Sequence, residues 1–452
     1  MKPNTTLLVA LMLILLTGAS AQDKAPGASG TRRITLQECL RLAVANSPHL
    51  KISALEQFRL EESRRETLGG ALPHVNFSGT WDDYLNLPTQ LIPGEFFGQP
   101  GEMIPVQFGT NYNLSAALDA SQMLYNQSWI TGMRMARLAL EQNGLATEKT
   151  EIEVVYEVAQ SYYTAQITRQ QQRNLQSNLE KLEKAGRIAR SQWESGIIMK
   201  VDVDRIEVQR LNLMTEIDRL EALYLQQMAM QKYFMGLDQS ADIALDDSIP
   251  TATLTPGAEG DFGTHIDIRM LEKQKELVQG TIRLDQAGYY PNVTLIGATN
   301  FLNQSNSFYL FGKPTDWFNT SLVGLRVAVP VFSGMQRHHR VNMSRIELDK
   351  LRVREDDTKK LIRINSDDAA RKLVISREAE KRQRDNMVLA DRVYNVSQEQ
   401  YQKGVIPLTD LLTSETALSN AQTNHTYALV QMKLAELNYL KANGRLLDVL
   451  KP

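Results

Sequence analysis

Ser195-Gly196-Ile197-Ile198-Met199-Lys200-Val201-Asp202 stands between two long helical patterns and returns, 208 residues on, as Lys403-Gly404-Val405-Ile406-Pro407-Leu408-Thr409-Asp410. In each copy a Gly closes a polar-apolar helix, as expected of a left-handed C′ residue that only Gly takes without a Cβ clash. The apolar residues that follow lead into a new helix. Its first turn carries Asp202 or Asp410, a carboxylate at the positive end of the helix dipole. Each copy predicts the tip of a helical hairpin.

Outward from the tips the two halves keep step. Pro73, in Leu72-Pro73-His74-Val75, parallels Pro291, in Tyr290-Pro291-Asn292-Val293, at an offset of 218, and Tyr125 parallels Phe332 at an offset of 207. The first half therefore has 11 extra residues between these landmarks, yet from Tyr125 to Gly196 is 71 residues and from Phe332 to Gly404 is 72. A loop drifts in length; a rod that spans a fixed distance does not.

One Lys, an apolar run from Leu7 to Leu16 and Ala19-Ser20-Ala21 read as a secretory signal with its cleavage site, so residues 1–21 are set apart from the fold. No Cys stands at the cleavage point to carry a lipid. The single Cys39 permits no internal disulfide and lies on a helical pattern, as a buried, inert thiol does. Without Lys2, the 50 basic residues become 49 against 52 acidic ones, a balance that gives no reason to expect nucleic acid. No later apolar run is long enough for a spanning helix. If the chain enters a membrane it does so as β-strands, since only helices and closed barrels satisfy their backbone groups in lipid.

Residues 22–33 read as a flexible leader, and Thr35-Leu36-Gln37-Glu38 as a capping box opening a helix that bends at Pro48 and runs to Leu72. After Pro73 the period becomes two: Val75, Phe77, Gly79 and Trp81 alternate with Asn76, Ser78, Thr80 and Asp82. Residues 86–106 read as a long loop. A second run follows, with Phe108, Tyr112, Leu114, Ala116 and Leu118 on one face. These two strands, of about ten residues each, have the length that crosses a bilayer when tilted.

Residues 124–195 predict a rod of roughly 105 Å at ~1.5 Å per residue. Beyond the tip, Val203, Ile206, Arg210, Leu213, Ile217, Leu220, Tyr224 and Gln227 follow a 3-4 ladder typical of a coiled-coil seam, on a helix ending near Gly236. Residues 265–290 resume a helix, which the reading lays end to end with that one as the return path of the first half. The second half repeats the plan. Val293, Leu295, Gly297 and Phe301 mark a third strand, Val323, Leu325, Val327 and Val329 a fourth, and residues 334–402 and 405–443 a second helical hairpin, its upper place filled by the N-terminal helix.

The organisation is therefore a first repeat, 34–236, with a β-hairpin at 74–123 and a tip at 196–200. An irregular insert follows at 237–264, then a second repeat, 265–443, with a β-hairpin at 292–330 and a tip at 404–408, and a tail, 444–452. Four strands cannot enclose a lumen, for which about eight are needed. Either they pair with other chains or they form something other than a barrel. Trp81, Tyr84, Phe308, Tyr309 and Trp317 fall near strand ends, where barrels carry aromatic girdles and where strand cores also carry rings.

The two-fold repeat, the Ala71-Leu72-Pro73-His74-Val75 approach to the first hairpin, the Leu124-Tyr125-Asn126 and Val331-Phe332-Ser333-Gly334 joints and the paired Gly tips together resemble the TolC-like outer membrane efflux proteins. The resemblance spans the mature chain. It implies an α+β membrane protein in the outer membrane of a Gram-negative bacterium, most of it periplasmic. Four transmembrane strands per chain would join a trimeric twelve-stranded barrel, continued by an α-helical coiled-coil tunnel. It also implies a passive exit duct of a tripartite efflux or type I secretion system, with a periplasmic adaptor and an inner-membrane pump as partners. By the same resemblance Gly196, Ile197, Ile198, Gly404, Val405 and Ile406 would dock the adaptor, and Asp202 and Asp410 would line the periplasmic constriction. A second acidic position found one turn on in some members is Thr413 here.

Other readings stay in view. Asp202 and Asp410 serve equally as helix-start carboxylates. Charge pairs such as Lys359-Lys360 read as a solvated face. His338-His339 point to different helix faces, unsuited to one metal, and His425 reads as a seam residue. No phosphate loop, catalytic triad or cofactor motif is present, so nothing supports an enzyme. A periplasmic adaptor or an elongated coiled-coil scaffold would explain rods, but neither explains two amphipathic strand pairs.

Overall fold

The computed structural model describes residues 32–98, 101–246, 249, 262–308 and 317–450. The expected signal segment and all but the end of the expected leader lie outside them. In chain order the elements are β1 (Arg32–Ile34), α1 (Leu36–Asn46), α2 (Pro48–Gly69), β2 (His74–Asp83), β3 (Thr89–Pro93), β4 (Met103–Gln107) and β5 (Tyr112–Asn126). Then come α3 (Gln127–Glu194), α4 (Lys200–Met235), β6 (Ile243–Leu245), α5 (Ile266–Ala287), β7 (Asn292–Ser305), β8 (Trp317–Ala328), α6 (Gln336–Gln402) and α7 (Leu408–Ala442).

Local chemistry sets the helix ends. Thr35 Oγ1 accepts from Glu38 N–H at 3.3 Å to start α1, and Pro48 divides α1 from α2. Gly196 and Gly404 take φ of 72° and 71°. At each tip two crossed bonds close the helix, Ile197 N–H to Gln192 C=O at 2.8 Å and Gly196 N–H to Trp193 C=O at 2.9 Å in the first. The returning helices end the same way at Gly236 and Gly444, again 208 residues apart, with φ of 66° and 67°.

α3 is flanked by α2 and α4 on one side and by α5 and α7 on the other; α6 packs chiefly on α5 and α7. The stacking corrects the sequence reading. α2, not α5, lies above α4: Asn46 Nδ2 donates to the Met235 carbonyl at 2.8 Å, and the end of α1 fits against Gly236. α5 lies above α7, where His265 at its start meets Gly444. Each half thus stacks its own upper helix on its own returning helix, α2 with α4 and α5 with α7. Periodicity fixes which residues a helix buries but not which equivalent rod it is laid on.

Other corrections are local. Arg32–Ile34, whose two arginines were expected to end the leader, pairs in parallel with Ile243–Leu245 inside the expected irregular insert. The expected loop 86–106 holds an antiparallel pair, Thr89–Pro93 with Met103–Gln107. Its two prolines in strand positions, Pro93 and Pro105, sit in a two-stranded ribbon whose outer edges need no N–H. Leu446, in the expected tail, is buried in the equatorial core with Ile34, Leu40, Val155, Tyr162 and Met235.

The main sheet has the order β2-β5-β7-β8, every pair antiparallel. Register places Phe77 opposite Leu118, Leu295 opposite Leu325 and Val293 opposite Val327. The apolar rows of all four strands therefore share one face.

Candidate gate and pore elements

Two regions carry the predicted site residues, and they lie at opposite ends of the rods. At the tips, α3, α4, α6 and α7 share one apolar core that includes Leu175, Leu182, Ile206, Leu213, Tyr394, Leu408 and Leu411. The docking set divides there. Ile197 and Val405 are 71% and 68% exposed, whereas Ile198 and Ile406 pack against the core. The turn that points one residue of each apolar pair outward points the next one in.

The two acidic positions also differ. Asp202 is half-buried and accepts from Arg205 Nη1 at 3.1 Å; Asp410 is exposed. Tyr401, buried nearby, donates its hydroxyl to Gln192 Oε1 at 3.1 Å and so ties α6 to α3. Burial, and after it the charge of Asp202, pushes the Tyr401 hydroxyl above its ordinary value.

Three more polar contacts cross between the hairpins. Lys181 reaches Asp391 at 3.7 Å and lies 5.2 Å from the Tyr394 ring centre. Asn178 Nδ2 donates to Gln422 Oε1 at 2.7 Å, and Gln209 Nε2 donates to Glu415 Oε2 at 3.2 Å. None of these was singled out by the sequence reading. Their signal is a polar residue at a seam position, visible only once the partner helix is known.

At the far end of the sheet Trp81 stacks on Tyr112 with ring centres 6.4 Å apart, and Phe308 meets both edge-on at 6.0 and 5.6 Å. Tyr84 lies just past β2, and Trp317 opens β8 opposite Asn303. Tyr309 lies outside the described residues. Tyr112 was read only as a strand residue; its place opposite Asp83 puts it in the ring cluster. At the helix end of the sheet Tyr289 and Tyr290 are half exposed, Arg337 stands over the Tyr289 ring, and Trp129 Nε1 donates to the Thr67 carbonyl at 2.7 Å.

The apolar face of the sheet is uncovered. Phe77, Val323 and Leu325 are 74%, 83% and 64% exposed. Each such side chain left in water forgoes ~1.5–3 kcal/mol, so this face needs an apolar surrounding. Among the described residues no helix is long and apolar enough to cross a membrane, and no group of three or more His, Cys, Asp or Glu could hold a metal ion. His338 contacts Asn342 at 3.0 Å. His425 lies in the seam between α7 and α6, where it meets Glu380 at 3.2 Å.

The profile of the family described as "Outer membrane efflux protein" matches residues 39–231 and 264–445. A probable efflux pump outer membrane protein of Pseudomonas putida, TtgC, is 21% identical over 419 residues, covering 90% of this chain and 82% of its own. Among solved structures, CusC superposes with a TM-score of 0.73 at 14% identity, over 92% of this chain and 93% of that one. VceC of Vibrio cholerae superposes with a TM-score of 0.69 at 14% identity, over 90% and 96%.

Proposed function

The chain belongs to the outer membrane efflux protein family, and from that premise we propose that three copies form a passive exit duct. Their twelve strands would close one barrel, their helices would continue it as a periplasmic tunnel, and the tips would be its gate. The protein is an outer-membrane efflux channel rather than an enzyme.

The observation that carries the assembly is the order of the unpartnered edges. In the sheet, β2 and β8 are the outer strands; in the helical layer, α2 and α4 lie at one margin and α6 at the other. One edge of the molecule is therefore α2, β2 and α4, and the opposite edge is β8 and α6. β8 runs antiparallel to β2, so a second copy's β2 can continue the sheet in the same alternating sense. In lipid each unpaired backbone group costs several kcal/mol, which favours closure over an open sheet.

Exposed apolar residues mark both margins. Ile52, Leu55, Phe58, Val208 and Leu211 lie on α2 and α4, and Ile346, Val353 and Ile364 on α6. A head-to-tail contact between such edges makes a ring when the rotation closes. The aromatic cluster at Trp81, Tyr112 and Phe308, with Tyr84 and Trp317, would mark the outer lipid interface, and Tyr289 and Tyr290 the periplasmic one.

Below the equator Ile197 and Val405, with the Gly turns that present them, would meet a periplasmic adaptor joined to an inner-membrane pump. Asp202 and Asp410 would line the constriction. The pump would supply the energy. The assembly is tested by light scattering on the detergent-extracted outer-membrane protein, corrected for detergent. A particle of three chains, each 51.0 kDa less the expected signal segment, is expected, with ion conductance in a planar bilayer. A monodisperse monomer would overturn the shared barrel.

A further inference from the structure

Among the polar contacts between the hairpins near the tips, one holds a carboxyl out of water. Glu415 on α7 is 2% exposed. One of its oxygens accepts from Gln209 on α4, and the other is buried with no hydrogen-bond partner among the described residues. The contrast is Glu436, also buried and also with one unpartnered oxygen, but with its charge met by Lys433 one turn away on the same helix at 2.9 Å. That pair travels with α7 as a unit. Glu415 faces groups of the other hairpin, Gln209 on α4 and Lys181 on α3, together with Tyr394 and Asp391 on α6. The Lys181 ammonium lies within reach of Asp391 and the Tyr394 ring, so little of its charge is left for Glu415.

We infer that Glu415 is a proton-sensitive latch between the two hairpins, holding them packed when it is protonated and releasing them when it ionises. The inference rests on the reading of the tips as a gate. Beside one amide donor, a buried neutral carboxylic acid costs far less than a buried carboxylate with an orphan oxygen. Parting the hairpins returns the carboxylate to water.

Burial raises the Glu415 carboxyl above its ordinary 4.5, and the Gln209 N–H and the Lys181 charge offset this only in part. The packed state therefore binds the proton more tightly than the parted state. Its advantage is complete below pH 4.5 and is lost as the pH rises through the raised value.

Hydrogen exchange of the full chain in mild detergent tests this. Peptides covering 203–215 and 408–420 are followed from pH 4.5 to 8, with rates corrected for the chemistry of exchange. In the wild type, protection should fall with rising pH, by about tenfold for each pH unit separating the two pKa values. Glu415→Gln, which cannot ionise, should keep the acidic level of protection throughout. Gln209→Leu removes the offsetting donor and should move the wild-type midpoint to higher pH. Parallel profiles for wild type and Glu415→Gln would overturn the latch, as would an unmoved midpoint in Gln209→Leu. So would a response that disappears on combining Asp202→Asn with Asp410→Asn. Conductance is read separately: a protein that opens no pore but shows the expected exchange keeps the latch and loses the channel.

Discussion

α3 and α6 are rods of 68 and 67 residues at corresponding places in the two halves, yet one is an interior helix and the other a margin. α3 has packed neighbours on both flanks, and near the equator it is buried almost all round, from Val154 to Gln172. α6 buries one face, through Leu351, Ile362, Leu373 and Tyr394. Two positions after each of these stand Val353, Ile364, Ile375 and Val396, all at least half exposed. At 100° per residue that is the opposite side of the helix. Rods of nearly equal length have thus been given different work: α3 holds the two hairpins together, and α6 is left with an apolar stripe that the proposed assembly would cover with another copy.

The contrast predicts different failures. Leu182→Asp on α3 puts an unpaired charge into the tip core, adding a burial penalty to a lost side chain worth ~2–5 kcal/mol. The protomer should lose its lower bundle, seen as a collapse of helical circular dichroism and rapid proteolysis. Val353→Asp with Ile364→Asp on α6 should instead leave helicity unchanged and weaken assembly by about a hundredfold or more, near 3 kcal/mol. A trimer that survives both changes would mean that the stripe is not the interface.

The paired glycines sharpen the comparison. Ala at either Gly236 or Gly444 pays for a left-handed φ, about 1–2 kcal/mol. Only at Gly236 would the new Cβ also stand 2.6 Å from Asn46 Cβ, displacing the side chain that bonds Met235. Gly236→Ala should therefore lower thermal stability by roughly 1 kcal/mol more than Gly444→Ala, a gap that calorimetry resolves. The smallest effect belongs to Arg205→Ala. Its ion pair with Asp202 is half exposed, so the loss should stay under about 1 kcal/mol and shrink in high salt.

What the sequence disclosed follows from what is local. Alternation at Val75–Asp82 and Val293–Phe301, the Gly tips and the Thr35 cap are short-range patterns, and the structure places strands, turns and a cap there. That α2 rather than α5 stacks on α4 was not legible, because the two rods present comparable seams and nothing near residue 236 names the partner. β1 and β6 are three residues each and too short for a period. The charges of α6 suggested a wet face and masked the apolar stripe between them. Glu415 looked like any polar residue on a long helix, since its burial is created by α4, some 200 residues earlier.

The pairing of Arg32–Ile34 with Ile243–Leu245 also orders events in time. In a chain exported from its N-terminus, the first strand and the helix after it must wait for some 200 residues to arrive before they find their partners, a long-range closure of the slow kind. Until then Cys39, the chain's one thiol, is open to reagents. Once α4 is in place its sulfur lies against Gln231 at 3.2 Å, wholly buried and pushed up to about 12. The moment at which alkylation stops is the moment the first half locks shut, so the protein carries its own clock for folding.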